Sequence, residues 1–522
     1  MIKVVEAYGA YRSDASFVPW SNDFRRHILK SFPLENGLKP IPDEALLDPK
    51  WTLETVERYQ TIPNGLISTE GTPPVAQAST CAGVECSTDS QSGNSPLGAG
   101  RRFVATLDEN VRVTAEAHWQ DVRRLVFSTP VSTPYEPGDV LTIYPRNAPE
   151  DVDQLLRAMD WNHVAERPVR LVPTASNGRR SGFQFQALPI SSTASTMTFR
   201  SLLTDHLDLS AIPKRSFFSI IAHFAEDQSQ RERLREFTKP EYIDELYDYT
   251  TRPRRSILEV LQEFGTVKIP WQWAANVLPE LRGRQFSIAS GGRLKADSNG
   301  STRFELLAAI VKYKTVIKKV RQGVCTRYLA NLPIGSPLDV TLQKGSLGIT
   351  EAQAKRPIIL VGPGTGIAPI RSLIWERLQW ADPSTQQQLQ MNGDNVVYDQ
   401  RNLGEMVLFF GCRKREVDYF YRKEWEQLQK QISLKVFTAF SRDQKHKIYV
   451  QDLIKEQCEL VYRLIYDSGA LVYVCGSSGT MPKAVRVALT EAFTKCGNMH
   501  QGEAEAYLQG MEKEGRYKQE TW

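Results

Sequence analysis

The sequence lacks any run of the roughly 18–20 apolar residues that a membrane-spanning helix needs. Its seven cysteines include no repeated CxxC pair, and their odd number does not suit a complete disulfide framework. The first residues also lack the charged-then-apolar layout of a secretory signal peptide. We therefore expect a reduced, cytoplasmic setting, with no membrane span, no disulfide framework and no zinc or iron–sulfur site.

A strong excess of one charge is also missing. The chain has 65 basic and 60 acidic residues, a formal net charge of +5. This excess is too small to indicate nucleic-acid binding, although it would suit docking to an acidic protein. With 522 residues, 41% apolar and 24% charged, the chain is long enough for two to four globular domains.

Changes in composition divide the chain into four segments. Residues 1–70 combine a helical pattern with proline-rich turns and are interpreted as a tether, and residues 71–100 have the composition of a flexible linker or insertion. Short alternating strands in residues 101–345, interrupted by helical patterns at about 150–280, predict an antiparallel barrel with a helical insertion. Residues 346–522 alternate strand and helix, which predicts a doubly wound parallel sheet and an α/β fold.

A strand, a glycine turn and a helix follow one another within 356–379. The apolar residues 357–361 predict a short buried strand, and Gly362, Gly364 and Gly366 predict a tight turn. Glycines allow backbone amides to approach an anion at the positive end of a helix. The segment therefore predicts a phosphate site, although one glycine-rich turn is weak evidence for a dinucleotide.

Two further segments indicate nucleotides. Gly323–Thr326 opens another helix and forms a second candidate anion site, which suggests that two nucleotides bind. Ser441–Gln451 places a hydroxyl, positive groups and a phenol where the adenosine ribose lies in a dinucleotide fold. Positive groups favour a 2′-phosphate there, and hence NADPH. The alternative is an exposed charged loop.

Three other features have both a chemical and an ordinary interpretation. Arg284–Ser290 carries an arginine, an aromatic ring and two hydroxyls, but it could be a plain barrel strand. Cys475, at the carboxyl end of a predicted strand, faces the ligand crevice of an open sheet, yet buried cysteines more often serve packing. Trp522 is the last residue, a position that is typically a frayed tip.

In their order and spacing, these segments resemble the FAD and NADPH half of the diflavin reductases. This family includes microsomal NADPH–haemoprotein reductase, nitric oxide synthase reductase and sulfite reductase flavoprotein. The similarity covers Arg101 to Trp522 and implies a ferredoxin–NADP reductase-like fold, with an FAD-binding barrel over 101–345 and an NADPH-binding domain over 346–522. The segments RQFSIAS and CGSSGTMP and the terminal tryptophan are most similar to the cytosolic members that act in iron–sulfur protein assembly.

The resemblance implies roles for residues around FAD. Arg284 would hold the pyrophosphate, Phe286 would pack on the isoalloxazine ring and Ser287 would hydrogen-bond near the flavin N5. Tyr313 matches a position on the adenine side, and Trp522 would stack on the flavin. The implied FAD-binding residues are Arg284, Gln285, Phe286, Ser287, Tyr313, Gly323, Val324, Cys325, Thr326 and Trp522.

The resemblance also implies how NADPH is held. The glycine turn and residues 411–413 would bind its phosphates and ribose, Ser441–Gln451 would bind the 2′-phosphate and adenosine, and Cys475 would lie beside the nicotinamide. The implied NADPH-binding residues are Gly362, Gly364, Thr365, Gly366, Gly411, Cys412, Arg413, Ser441, Arg442, Lys447, Ile448, Tyr449, Val450, Gln451, Cys475 and Gly476. The implied catalytic residues are Ser287, Cys475 and Glu520.

Three positions depart from the pattern of the family. Phe286 stands where many members have tyrosine. Ser477 stands where the microsomal enzymes have aspartate, so that part of their hydride-transfer network does not carry over. Glu520 is one methylene longer than the aspartate that they carry.

The FMN-binding flavodoxin domain of the family is not recognisable in residues 1–51, and the resemblance implies that residues 1–70 are a hinge and the remnant of the end of such a domain. We expect a truncated chain, or else a separate flavodoxin-like or iron–sulfur partner, so FMN is expected only where such a domain is supplied. The resemblance implies an iron–sulfur acceptor of the anamorsin type, a cytoplasmic location compatible with mitochondrial association, and neither a nucleic-acid nor a membrane partner. A haemoprotein or sulfite reductase-type flavoprotein and a degenerate, non-catalytic scaffold remain alternatives.

Overall fold

The computed structural model describes residues 13–32, 45–49, 51–56, 102–174, 197–297, 299–381 and 402–522, so the predicted linker at 71–100 lies outside the described residues. The β-strands are β1 (Trp51–Thr55), β2 (Arg102–Arg112), β3 (Val122–Thr129), β4 (Val140–Ile143), β5 (Val169–Pro173), β6 (Arg284–Ser287), β7 (Thr302–Ala309), β8 (Lys312–Lys314), β9 (Val320–Gln322), β10 (Pro337–Gln343), β11 (Ile358–Val361), β12 (Met406–Cys412), β13 (Leu434–Phe440), β14 (Leu471–Gly476) and β15 (Tyr517–Thr521).

The α-helices are α1 (Ser13–Ser31), α2 (Pro149–Ala158), α3 (Phe199–Asp205), α4 (Arg215–Ile221), α5 (Gln228–Glu236), α6 (Ile243–Leu246), α7 (Ile257–Glu263), α8 (Ala274–Val277), α9 (Val324–Asn331), α10 (Ile367–Ala381), α11 (Arg415–Asp418), α12 (Arg422–Gln431), α13 (Val450–Glu456), α14 (Cys458–Tyr462), α15 (Met481–Cys496) and α16 (Gln501–Lys513). Among the helices in these described ranges, none is long and apolar enough to cross a membrane.

Six antiparallel strands form a nearly closed barrel in the order β6-β4-β10-β2-β3-β7. Just beyond β6, a bridge between Ile288 and Leu306 and a hydrogen bond from the Ala289 N–H to the Glu305 carbonyl oxygen (2.7 Å) join the two edges. Side chains that alternate along the strands, such as Leu107, Phe127 and Leu141, fill the interior and are fully buried. The predicted antiparallel barrel is confirmed.

The helical insertion consists of α2 to α8 together with β5, and it lies between β4 and β6 along the chain. Its core is a cluster of aliphatic and aromatic side chains that includes Trp161, Phe199 and Phe218. Strand β1 pairs antiparallel with β5 and buries Leu53 in this same core. The interpretation of residues 1–70 as a tether did not include this strand, which anchors part of that segment to the insertion.

The second sheet contains five parallel strands in the order β13-β12-β11-β14-β15. Alternate residues of β11 face opposite sides: Ile358 and Leu360 pack towards α10 and α12, whereas Ile359 and Val361 pack towards α13, α15 and α16. Both faces of the sheet are therefore covered, and the predicted doubly wound α/β fold is confirmed.

The strand β15 and the helix α16 were not predicted from the sequence. Instead of a frayed tip, the last residues form an edge strand, in which Glu520 lies opposite Cys475 of β14. Because all five strands are parallel, their carboxyl ends lie along one edge of the sheet. That edge carries the glycine turn after β11 and the residues that follow β12, β13, β14 and β15.

Candidate active site

The barrel and the parallel sheet meet at a hydrogen bond between Ser287 and Glu520. Ser287 ends β6 of the barrel, and its Oγ donates to Glu520 Oε1 at 2.7 Å. Glu520 lies on β15 beside Cys475, while the backbone N–H of Trp522 donates to the Gly476 carbonyl oxygen at 3.1 Å. All three predicted catalytic residues are thus brought together, with half of Trp522 (52%) exposed beside them.

Burial controls the electrostatics of this group. Desolvation raises the pKa of Glu520, the hydrogen bond from Ser287 opposes the increase and the negative charge of Asp139 adds to it. The second carboxylate oxygen, Oε2, is buried without a hydrogen-bond partner among the described residues. Burial, together with the charge of Glu520, raises the pKa of the Cys475 thiol well above its usual value, so this thiol stays protonated.

The glycine turn lies directly against the end of β14. A Cβ atom at Gly366 would approach the Cys475 carbonyl oxygen to 2.2 Å, so only glycine fits there. Gly364 has a φ of +59°, and no atom lies within 4 Å of the point where its Cβ would be. No side chain caps this turn, which leads into the 15-residue helix α10. Its shape and open face suit a phosphate at a helix N-terminus.

The charged loop after β13 lies next to the loop after β12. The Ser441 and Arg442 backbone N–H groups donate to the carbonyl oxygens of Cys412 and Arg413, at 3.0 and 2.8 Å. Arg442 and Lys447 are exposed, and no carboxylate in the described ranges pairs with their side chains. The Arg413 guanidinium instead stacks 4.5 Å from the Trp119 ring of the barrel. The exposed positive charges are free to meet a phosphate.

Residues 448–451, at the end of this loop, lead into α13 and make contacts within the protein. Tyr449 is exposed and precedes α13, and its N–H donates to Asp452 Oδ2 at 2.9 Å. Ile448 is also exposed. Val450, the first residue of α13, is buried in the core, and Gln451 after it is half-buried. Val450 also packs against the position of Gly411, whose Cβ would come within 2.9 Å of it. Val450 therefore supports the backbone at Gly411, at the carboxyl edge of the sheet.

On the barrel side, α9 presents its N-terminus to a large cavity. Its first residue follows Gly323, and no side chain caps it. A cavity of about 610 Å³ is lined by Val324, Arg327 and Arg146, among others. A neighbouring cavity of about 380 Å³ includes Tyr313. This volume and the uncapped helix suit a nucleotide with a diphosphate.

Other residues predicted around FAD contribute structure. Thr326 and Cys325 are buried inside α9, and the Thr326 hydroxyl accepts a hydrogen bond from the Val311 N–H at 3.1 Å. Burial raises the pKa of Cys325 to about 12, although the positive charge of Arg284 opposes the increase. The exposed Arg284 side chain donates to the Arg282 carbonyl oxygen at 2.7 Å, and Gln285 bonds the side chain of Gln343.

The chemistry of this site is consistent with two nucleotides. The residues that fit FAD are Ser287, the half-buried Phe286, the α9 N-terminus and the cavity beside it. The glycine turn and the charged loop fit NADPH. Tyr313 lies on the hairpin of β8 and β9, where its side chain is exposed. The roles that the resemblance assigns to these individual residues stay predictions.

Sequence reasoning missed Asp139 and the buried arginine on α10. Asp139 follows a glycine turn and accepts a hydrogen bond from the Gly345 N–H at 3.0 Å, which places its charge near Glu520. Arg371 is the only charged residue in the first two turns of α10. Its position in an otherwise apolar sequence could have indicated a buried, paired arginine. In the described ranges, no group of three or more histidine, cysteine or acidic side chains could hold a metal ion.

Comparison with known protein families agrees with this architecture. Residues 101–328 match the model of an FAD binding domain, and residues 360–486 match that of an oxidoreductase NAD-binding domain. The first match covers five of the six barrel strands, all but β10, together with the insertion, and the second runs from within β11 into α15. The two nucleotide sites inferred from geometry therefore lie in domains of matching type.

Individual relatives carry the comparison further. The chain is 48% identical to an NADPH-dependent diflavin oxidoreductase of Emericella nidulans and 47% identical to that of Aspergillus fumigatus. Each comparison covers 98% of this chain and 76% of the relative. An NADPH-dependent diflavin oxidoreductase of Schizosaccharomyces pombe is 37% identical, and this comparison covers 81% of this chain and 66% of the relative. This chain therefore belongs to the NADPH-dependent diflavin oxidoreductase family and is a flavin oxidoreductase with FAD- and NADP-binding domains.

Proposed function

We propose that this protein transfers electrons from NADPH, through a flavodoxin module that binds FMN, to an iron–sulfur acceptor protein used in cytosolic iron–sulfur cluster assembly. The acceptor would be of the anamorsin type and the location cytoplasmic. The similarity of RQFSIAS and CGSSGTMP to the cytosolic members of the family supports this choice of acceptor.

The observation that supports the hydride-accepting half is the contact between Ser287 and Glu520. The carboxyl edge of the parallel sheet is where a dinucleotide binds in this class of fold, and β15 brings that edge to the end of β6. FAD, when bound, accepts a hydride from NADPH and can release the electrons singly. The part of the protein is to bring two ligands held by different domains to one place.

The residues of the chain have separate tasks in this proposal. The glycine turn and the exposed Arg442 and Lys447 hold the phosphates of NADPH. Ser287 and Glu520 form a hydrogen-bonded pair at which a proton can be held, on Glu520 Oε1 or Oε2, because the pKa of this carboxyl group is raised. Cys475 keeps a neutral, buried thiol beside them.

The first experiment tests the cofactor and the reaction. The purified chain should release FAD on denaturation, and it should reduce ferricyanide with NADPH much faster than with NADH. A colourless protein, or one that holds FMN without FAD, would contradict the proposal. The scaffold alternative predicts that FAD is bound but that ferricyanide is not reduced.

The second experiment tests the acceptor. A separately purified FMN-binding flavodoxin module is added to the chain, followed by either a [2Fe–2S] protein or a haem protein. We expect rapid bleaching of the [2Fe–2S] absorption that depends on the module and on NADPH. Fast haem reduction with an unreduced iron–sulfur protein would favour the haemoprotein reductase alternative instead.

A further inference from the structure

Arg371 on α10 links the NADP-binding domain to the barrel. It lies one turn after the start of α10, the helix that begins at the glycine turn, and its side chain is 6% exposed. Its Nη1 donates to the Ala289 carbonyl oxygen at 2.9 Å. Ala289 is only two residues beyond Ser287, so one side chain connects the helix of the candidate phosphate site to the strand of the candidate flavin site.

Two carboxylates from different domains complete the contact. Glu424 of α12 accepts two hydrogen bonds from Arg371, at 2.8 and 2.9 Å. Glu305 of the barrel lies 3.3 Å from Arg371 and accepts a hydrogen bond from the Tyr421 hydroxyl at 3.1 Å. Tyr421 has a left-handed backbone (φ +58°), and its ring lies 4.3 Å below the guanidinium. These contacts hold Arg371 in one orientation from several sides.

Burial lowers the pKa of Arg371, but the two carboxylates and Tyr421 outweigh it and raise the pKa overall, so the arginine stays charged. A buried arginine whose guanidinium is fully paired attracts its acceptors and also fixes their orientation, because its N–H donors lie in one rigid plane. Lysine has no such plane. The geometry at this position therefore depends on arginine itself rather than on a positive charge alone.

The neighbouring residues of α10 reinforce the same contact. Ser372 Oγ donates to the Ser290 carbonyl oxygen at 2.7 Å, and Glu376 accepts a hydrogen bond from the Gly292 N–H at 2.7 Å. A Cβ atom at Gly291 would lie 1.9 Å from the Ser372 carbonyl oxygen, so the backbone there touches the helix directly. The segment 289–292 is thus clamped to α10 at consecutive residues.

From these contacts we propose that Arg371 is a positioning residue for hydride transfer, which sets the distance between the nicotinamide and flavin sites by tying the end of β6 to α10. It touches neither candidate cofactor site itself. Transfer of a hydride needs close approach of the two reacting atoms, and a misplacement of about 1 Å can cost on the order of a hundredfold in rate. The inference rests on the proposed nucleotide sites.

The same helix offers a matched control. Arg377 is fully buried too, but its guanidinium donates to the carbonyl oxygens of Gln353, Ala354 and Arg356, all on the NADP-binding side of the molecule. Arg377→Lys therefore removes a buried arginine fork of α10 without touching the barrel. Comparing it with Arg371→Lys separates a loss of stability from a loss of positioning.

The test uses the FAD-loaded chain and two independent measurements. Stopped-flow absorbance follows flavin reduction at saturating NADPH, and hydrogen–deuterium exchange follows the amides of 289–292. In Arg371→Lys we expect at least a tenfold slower reduction and faster exchange of these amides, with FAD content and NADPH affinity within twofold of the wild type. Arg377→Lys should lower the melting temperature but leave both measurements close to the wild type.

Several results would overturn the proposal. Equal slowing by the two variants, or an Arg371→Lys variant with wild-type reduction and exchange, would show that Arg371 acts only through stability or not at all. If Arg371→Lys does not fold, Glu424→Gln decides, because it weakens the fork while keeping the shape of the side chain; wild-type behaviour of this variant refutes positioning. A wild-type chain that binds no FAD or oxidises no NADPH would instead refute the proposed function.

Discussion

Replacing Ser287 by alanine should change how the stability of the protein depends on pH. In the described part of the chain, Ser287 is the one side chain that donates a hydrogen bond to the Glu520 carboxylate, at 2.7 Å. A hydrogen bond to a charged group contributes about 1.5–3 kcal/mol. Because this hydrogen bond favours the charged carboxylate, its loss should raise the pKa of Glu520 further.

The sign of the effect follows from linkage. Burial already raises the pKa of Glu520 above the value of an unfolded chain, with a further contribution from Asp139. A carboxyl group that holds its proton more tightly when folded destabilises the fold as the pH rises from the unfolded pKa to the folded pKa. In Ser287→Ala this window extends to higher pH, and the loss of unfolding free energy grows by about 1.5–3 kcal/mol. Glu520→Gln cannot ionise and should not show this loss.

The measurement is denaturant-induced unfolding of the FAD-loaded chain at several values between about pH 4 and 9, a range that starts near the pKa of a glutamate in an unfolded chain. A matched control is Ser128→Ala, since Ser128 also lies in the barrel and donates to a carboxylate, Asp108, but at an exposed site. It should leave the pH dependence unchanged. Superimposable pH profiles of the wild type and Ser287→Ala, or a Glu520→Gln profile like that of the wild type, would refute the reasoning.

Three further predictions concern the NADPH side. Arg442→Ala should raise the KM for NADPH by roughly tenfold and leave the KM for NADH nearly unchanged. This factor corresponds to the low end of about 1.5–3 kcal/mol for a charged hydrogen bond, because the Arg442 side chain is exposed. Steady-state kinetics with both nucleotides test this, and equal losses would count against a 2′-phosphate contact. Deleting Trp522 should relax the preference for NADPH over NADH, and an unchanged ratio of kcat/KM values would argue against stacking on the flavin. Gly366→Ala should destabilise the protein by about 1–3 kcal/mol through the clash with Cys475, as thermal unfolding would show. A neutral Gly366→Ala would contradict the close approach.

Much of the parallel sheet could be predicted because its signals are local. Buried strands are short apolar runs, and glycine turns follow them within a few residues, as at 357–366. Once the strands are known to be parallel, the edge at which their ends meet follows without further information. This is why the glycine turn and the charged loop were predicted to belong to one site from sequence alone.

The contacts between the domains could not be predicted in this way. Ser287 and Glu520 are 233 positions apart, and β15 is a short polar strand without an apolar run. The partners of Arg371 come from two other elements, and only its position on an apolar helix indicated anything unusual. Such pairs arise from the packing of complete domains, on which local patterns carry no information.

The weakly closed seam of the barrel has a consequence for folding order. Just beyond β6 the barrel closes on β7 through the bridge between Ile288 and Leu306 and the hydrogen bond from the Ala289 N–H to the Glu305 carbonyl oxygen at 2.7 Å, while the Ala289 carbonyl oxygen is held by Arg371 of α10. The segment that follows β6 therefore gains its full set of partners only after the downstream domain has been synthesised and has folded. An isolated barrel, expressed without residues 346–522, should therefore leave residues 289–292 without the partners that α10 provides, whereas the downstream sheet has one core cluster, beneath α13, α15 and α16, that is built entirely from its own residues.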